Sequence, residues 1–185
     1  MVEIPTKVSL EILKEFTDYT LESVTISSLA KRMGRSHVTL LPHIEKLEHL
    51  QVLQVKSKGR NKELRLNQNS IETKYFLEIA ENLKLVDAIQ EQPIIKKLCE
   101  AVIDTKETIV LFGSFAKGTA TKESDIDLAV SKEIDLENFS QVYGRDVNTK
   151  KVNFHDKDDH LTYEILKNHV VISGCSKFVS EVLYG

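Results

Sequence analysis

The stretch that most constrains the fold runs from residue 108 to residue 130. Thr108-Ile109-Val110-Leu111-Phe112 is β-branched and apolar without polar alternation, which predicts a short strand buried on both faces. Gly113-Ser114 breaks that strand in a tight turn, and Phe115-Ala116-Lys117 predicts a single helical turn ending at Gly118. After ten residues that follow Ser114 (115–124) comes Asp125-Ile126-Asp127, followed by a second apolar run, Leu128-Ala129-Val130.

What lies there is chemically specific. A Gly-Ser turn opening onto a helix presents backbone N–H groups to phosphate oxygens; the Ser114 hydroxyl adds a donor and Lys117 a charge for the same triphosphate. Asp125 and Asp127 alternate with Ile126 and Leu128, so both carboxylates project from one face of the strand. Two such groups repel each other unless a cation sits between them. Mg²⁺ bridging protein carboxylates and substrate phosphates meets that need, and a two-metal site is the usual device for in-line nucleotidyl displacement. A merely solvated strand start would explain the carboxylates but not the turn before them.

Gly-Ser, ten residues and Asp-x-Asp together resemble the fingerprint of the nucleotidyltransferase superfamily of the DNA polymerase beta type. GSFAKGTATKESDIDLAV is similar to the minimal nucleotidyltransferases, and the resemblance covers about residues 92–185. It implies a small mixed β-sheet with flanking helices, Gly113 and Ser114 on the nucleotide phosphates, and Asp125 and Asp127 holding Mg²⁺. It also implies a third carboxylate on a later strand, in a Val-Asp-hydrophobic setting. The matching stretch is Lys150-Lys151-Val152-Asn153-Phe154-His155, so Asn153 stands at the catalytic position where a carboxylate is expected. Asn coordinates Mg²⁺ through its carbonyl oxygen but carries no charge and accepts no proton at neutral pH. Three readings stay open: His155, on the same face, serves as base; Asp156 or Asp146 replaces the acid through a slipped register; or the site binds metal and nucleotide without efficient turnover.

Charge divides the chain. Of the net −3, residues 1–70 contribute +3 and residues 71–185 contribute −6. Residues 31–65 hold nine basic side chains against three acidic ones, so two modules with different partners are expected. The basic part predicts a helix over about 6–18 and a second over 25–33 that is capped by Thr25 or Ser27 and stopped by Gly34. A third follows Ser36, with Pro42 either delaying its start or bending it. VLQVKSKGRNKELRLN then predicts a β-hairpin with a basic tip. Three helices and a basic hairpin resemble a winged helix-turn-helix domain, and LAKRMGRSHVTLLPHIEKLEHLQVLQ is similar to the ArsR/MarR-type group. That places Arg35, Ser36, His37 and Thr39 at a recognition-helix start and Lys56, Lys58, Arg60 and Lys62 on a wing that reaches phosphates. His37, His43 and His49 are six apart, which spreads them around a helix instead of gathering them on a metal.

Ile71, Tyr75, Ile79, Leu83, Val86 and Ile89 recur at steps of four and three without Gly or Pro, predicting one amphipathic helix. Pro93 starts another, over about 93–104, and a helix over 160–167 and a strand over 170–172 close the reading. The expected organisation is α+β: a winged helix-turn-helix at 1–70, a helical connector at 71–91 and a minimal nucleotidyltransferase-like domain at 92–185. No apolar run approaches the roughly 20 residues of a membrane span, the first residues do not resemble a signal peptide, and Cys99 and Cys175 show no metal spacing, so a cytoplasmic protein with reduced thiols is expected. The favoured function is a DNA-binding transcriptional regulator whose second domain binds Mg-nucleotide. The alternative is an active nucleotidyltransferase moving a nucleoside monophosphate onto a partner protein's hydroxyl, with the winged helix autoregulating its operon. A pure scaffold with both sites vestigial is the third reading. Double-stranded DNA, a nucleoside triphosphate, a partner protein and a second copy of the chain are the expected partners.

Overall fold

The computed structural model describes residues 5–20, 23–58 and 61–185, with the backbone alone at 58 and 61. The chain divides into two compact units, Met1–Ala80 with Tyr184, and Glu81–Leu183 with Gly185.

In the first unit local capping chemistry sets the helices. The Thr6 hydroxyl accepts from the Ser9 N–H at 3.2 Å and opens α1 (Lys7–Glu15). Thr25 does the same for Ser28 and opens α2 (Ile26–Met33), which Gly34 ends in the left-handed region at φ +60°. Ser36 accepts from Thr39 and opens α3 (His37–His49), so the helix starts at once and carries Pro42 within it. A three-stranded antiparallel sheet completes the unit in the order β1 (Val24–Thr25), β3 (Asn61–Leu66), β2 (Leu53–Lys58). Ile12, Leu13, Leu29, Leu40, Ile44, Leu47, Leu53 and Leu64 form its core, each at most 2% exposed. Hydrophobic burial of this size, at about 2 kcal/mol per large side chain, is what holds three short helices that would be marginal alone.

Helix α4 (Ile71–Glu91) runs unbroken for 21 residues. Its inward face is Thr73, Leu77, Ala80, Glu81 and Ala88, whereas Ile71, Tyr75, Ile79 and Val86 are all more than 40% exposed. The apolar stripe of this amphipathic helix is therefore largely on the outside.

The second unit opens with the last turns of α4 and α5 (Pro93–Ala101), where Pro93 takes a position whose N–H needs no helical partner. Its four-stranded mixed sheet has the order β6 (Val147–Lys151), β5 (Ile126–Val130), β4 (Ile109–Phe112), β7 (Val170–Ser173). β4 is antiparallel to β5 and β7, and β5 is parallel to β6. Ile109, Leu111, Ile126, Leu128 and Val130 share a cluster with Ile95 and Leu98 of α5, with Val102 just past its end and with Phe139 of α7 (Glu137–Tyr143). The alternate residues Val110 and Ala129 are equally buried and face the other way. The strands are thus covered on both sides, as their lack of alternation predicts. Helices α8 (His160–Lys167) and α9 (Cys175–Tyr184) follow, and Phe178 of α9 meets the buried Phe154 edge to face at 5.1 Å.

Glu81 and His169 are buried together in this unit, His169 Nε2 lying 2.9 Å from Glu81 Oε1 and 3.2 Å from Lys84 Nζ. Lys84 Nζ in turn stands 2.9 Å from Glu81 Oε2. Burial pushes the Glu81 carboxyl up, but His169 and Lys84 outweigh it and hold the group at about 2. Burial, reinforced by Lys84, pushes the His169 imidazole down, so Lys84 is the cation that stands against Glu81 at neutral pH.

Candidate functional site

Strand β4 ends at Phe112, and Gly113 turns the chain at φ +72° into the single turn α6 (Gly113–Ala116). Only glycine fits there for two reasons. The φ is left-handed, and an added Cβ would collide with the Asp127 carboxylate, whose Oδ2 lies against the Gly113 Cα. Phe112 pairs with Asp127 across β4–β5, which is what carries the carboxylate to the turn. The α6 turn is closed by Lys117 N–H to Gly113 O at 3.2 Å and by Thr119 N–H to Ser114 O at 2.9 Å.

The loop that returns from α6 to β5 is held from outside. Arg145 donates through Nη1 to Ser124 O at 2.8 Å and Thr121 O at 3.3 Å, and its guanidinium stands 5.4 Å from the Phe115 ring centroid. The Thr121 N–H donates to Ser124 Oγ at 2.9 Å, and Gln92 Nε2 donates to Phe115 O at 3.2 Å. These contacts fix where β5 begins and therefore where Asp125 stands.

Asp125 is exposed and Asp127 half-buried. Their polar side-chain partner among the described residues is Asn148 on β6, whose Nδ2 is 3.4 Å from Asp125 Oδ2 and 3.4 Å from Asp127 Oδ1. The parallel register sets Asn148 directly opposite Asp127. Asn153 does not join them. β6 covers Val147–Lys151 and not the expected 150–155, so Asn153 lies beyond its end, where its Oδ1 accepts from the His155 N–H at 3.3 Å. His155 instead faces the C-terminal Gly185, where an added Cβ would strike its ring. Asp146 precedes β6, its carbonyl accepting from the Ile126 N–H at 2.9 Å. The residue that stands beside the two carboxylates is thus Asn148, five residues before the one the sequence suggests.

The donor set fits one hard divalent cation: two carboxylates share a face, and the absence of a side chain at Gly113 leaves room for the Asp127 carboxylate. Among the described residues no three His, Cys, Asp or Glu side chains gather into a metal cluster. Ser114 is half-buried beside Gly113 and Lys117 is exposed at the end of the turn. A groove of about 420 Å³ between α5 and α7, bounded by Lys97, Glu100, Phe139, Val142 and Tyr143, shares no residue with this site.

In the first unit the structure brings Ser36, His37 and Thr39 to the exposed first turn of α3. Arg35 is exposed but engaged, its Nη2 pairing with Glu11 Oε2 at 2.7 Å. Sequence reading missed Val38, which is 79% exposed between His37 and Thr39 on that turn. The signal was available: a residue two after an N-cap, on the side away from Leu40 and Ile44. Lys56 and Lys62 are exposed on the hairpin, opposite Glu63 and Ser57 respectively. Lys58 is placed by its backbone alone, and Arg60 lies outside the described residues.

Residues 92–180 match the family model described as a nucleotidyltransferase domain. No curated protein and no solved structure matches the chain. No helix among the described residues is long and apolar enough to cross a membrane.

Proposed function

We propose that the chain is a DNA-binding transcriptional regulator whose nucleotidyltransferase-like domain binds a Mg-nucleotide. The observation that carries the nucleotide half is the seating of Asp127 against the left-handed Gly113, within the segment that matches the family. Asp125 and Asp127 would hold the ion, Gly113 and Ser114 the phosphates, and Lys117 would balance the remaining phosphate charge. When bound, the ion neutralises the triphosphate and orients its phosphates. The protein's own part is to fix the two carboxylates through the β4–β5 pairing and the Arg145 clamp.

The DNA half rests on the order of elements in the first unit, which fits a winged helix-turn-helix: a capped α2, the left-handed Gly34, then α3 with an exposed first turn, then a hairpin carrying Lys56 and Lys62. Such a module reads paired half-sites as a dimer, and the exposed Ile71, Tyr75, Ile79 and Val86 of α4 offer an apolar stripe on which two copies would meet. The test is a pair of binding assays on the full chain. Fluorescent double-stranded DNA should bind with an affinity that falls steeply with salt, and Mn²⁺ plus a nucleotide should bind in an Asp127-dependent way. Absence of both responses would sink the proposal.

The intact Gly113-Ser114 and Asp125/Asp127 favour a second reading, an active transferase that moves a nucleoside monophosphate onto a partner protein's hydroxyl and autoregulates its operon through the first unit. Transfer of α-label from a nucleoside triphosphate into host lysate, lost in Asp127→Ala, would decide for it.

A further inference from the structure

Asn148 sets the number of cations the site can hold. An amide facing two carboxylates presents its NH₂ end, because its oxygen would be repelled there; the two 3.4 Å approaches of Nδ2 are that arrangement. In this orientation a donor fills that side of the acidic pair; turned about its Cβ–Cγ bond, the amide would offer a metal one neutral carbonyl oxygen and no charge. Two carboxylates bring a charge of −2, enough to match one divalent ion. The nucleotide phosphates supply anionic oxygens on their own side; an ion on the β6 side would need a further anionic oxygen from the protein, and Asn148 supplies none at the position facing both aspartates.

We propose that this is a one-cation site: Asp125 and Asp127 bind a single divalent ion together with the nucleotide phosphates, and the Asn148 amide caps the pair where a second ion would otherwise be ligated. This rests on the nucleotide reading given above. Asp146 is the rival ligand, since the register sets it level with Asp125. It lies outside β6, however, and no triad of metal-ligating side chains forms among the described residues. An acceptor hydroxyl approaching the pair from β6 would meet an amide that cannot take its proton.

The experiment counts bound Mn²⁺ by electron paramagnetic resonance on the full chain saturated with α,β-methylene-ATP, which resists cleavage at the α–β bond. Wild type should hold one Mn²⁺ per nucleotide. Asn148→Asp should take up a second and tighten total binding roughly tenfold, as added ligand charge does. Asp146→Asn and Asn153→Asp should match wild type. Two ions in wild type, a folded Asn148→Asp that still holds one, or loss of the ion in Asp146→Asn would each overturn the proposal. The wild-type count alone decides it if Asn148→Asp fails to fold. Absence of both Mn²⁺ and nucleotide from wild type is a different failure, which removes the nucleotide reading and this inference with it.

Discussion

Replacing Gly113 by Ala probes the site at its narrowest point. Two costs arise, and a second glycine separates them. Gly113 sits at φ +72° and Gly118, at the far side of the same turn, at φ +68°. An alanine in the left-handed region costs about 1–2 kcal/mol at either position. At Gly118 nothing lies within 4 Å of an added Cβ, so the backbone cost is the whole of it. At Gly113 the Cβ meets Asp127 Oδ2, while β5 is held by β4 on one side and β6 on the other. The side chain must therefore yield, and a rotation away from its rotamer adds about 0.5–1.5 kcal/mol. A unit of about 100 residues loses roughly 4–8 °C in melting temperature per kcal/mol. Gly118→Ala should lower the melt of this unit by roughly 5–15 °C, and Gly113→Ala should lower it further. Binding separates them more sharply. Isothermal titration with Mn²⁺ and a nucleotide should show wild-type affinity for Gly118→Ala and a loss of about tenfold or more for Gly113→Ala, because a displaced carboxylate forfeits charge-assisted ligation. If Gly113→Ala binds like Gly118→Ala, the carboxylate does not depend on the missing Cβ and the geometry of the site has been misread.

Three further outcomes can be checked. Glu81 is held at about 2 against an ordinary 4.5, so its contribution is complete above pH 4.5 and disappears as pH falls toward 2. Such a shift corresponds to about 3 kcal/mol, and His169, pushed down by burial, acts in the same direction as pH falls below 6.5. Urea unfolding from pH 7 to pH 3 should show this loss in wild type and a flatter profile in Glu81→Gln. Arg145→Ala removes two hydrogen bonds to the loop before Asp125 and the contact with Phe115; it should cost about 1–3 kcal/mol and weaken nucleotide binding without touching the phosphates. Lys56→Ala and Lys62→Ala should each weaken DNA binding about equally across sequences and lower the slope of log K against log salt by about 1; an unchanged slope would take the hairpin out of the interface.

The parts of the fold legible in the sequence are those fixed by neighbours in the chain. Thr25, Ser36 and Gly34 mark their helix ends because capping is a matter of one side chain and three or four backbone groups. The unalternating run before Gly113 announces a strand covered on both faces, and Ile109, Val110 and Leu111 are all fully buried, with Ile109 and Leu111 in the cluster that α5 and α7 share. The illegible parts are those fixed at a distance. β1 is two residues long and exists because Val24 pairs with Leu64. Helices α7 and α9 carry their apolar residues in short sets, Phe139 in one and Phe178, Val179, Val182 and Leu183 in the other, that only a sheet face makes coherent. On α4 the regular spacing of Ile71, Tyr75 and Ile79 is real, yet the packed face is the one with Leu77, Ala80 and Ala88.

β6 explains why Asn148 and not Asn153 stands beside the carboxylates. It is an edge strand, and Asn148, Thr149, Lys150 and Lys151 are all exposed, so it carries no hydrophobic signal by which its register can be read. Val152 and Phe154 carry that signal, but Val152 only prolongs the pairing by one N–H to Val130 O, and Phe154 is buried against Phe178 outside any strand. The pattern of alternation was therefore read on the segment that packs and not on the segment that faces the carboxylates. The same exposure has a chemical consequence. At position 148 nothing in the core depends on whether the side chain is an amide or a carboxylate, since the two are nearly isosteric and the site is open to water. The fold of the second unit and the charge of its site are thus separable, and a single exposed substitution at Asn148 can change how many cations are held while leaving the packing that positions Asp125 and Asp127 intact.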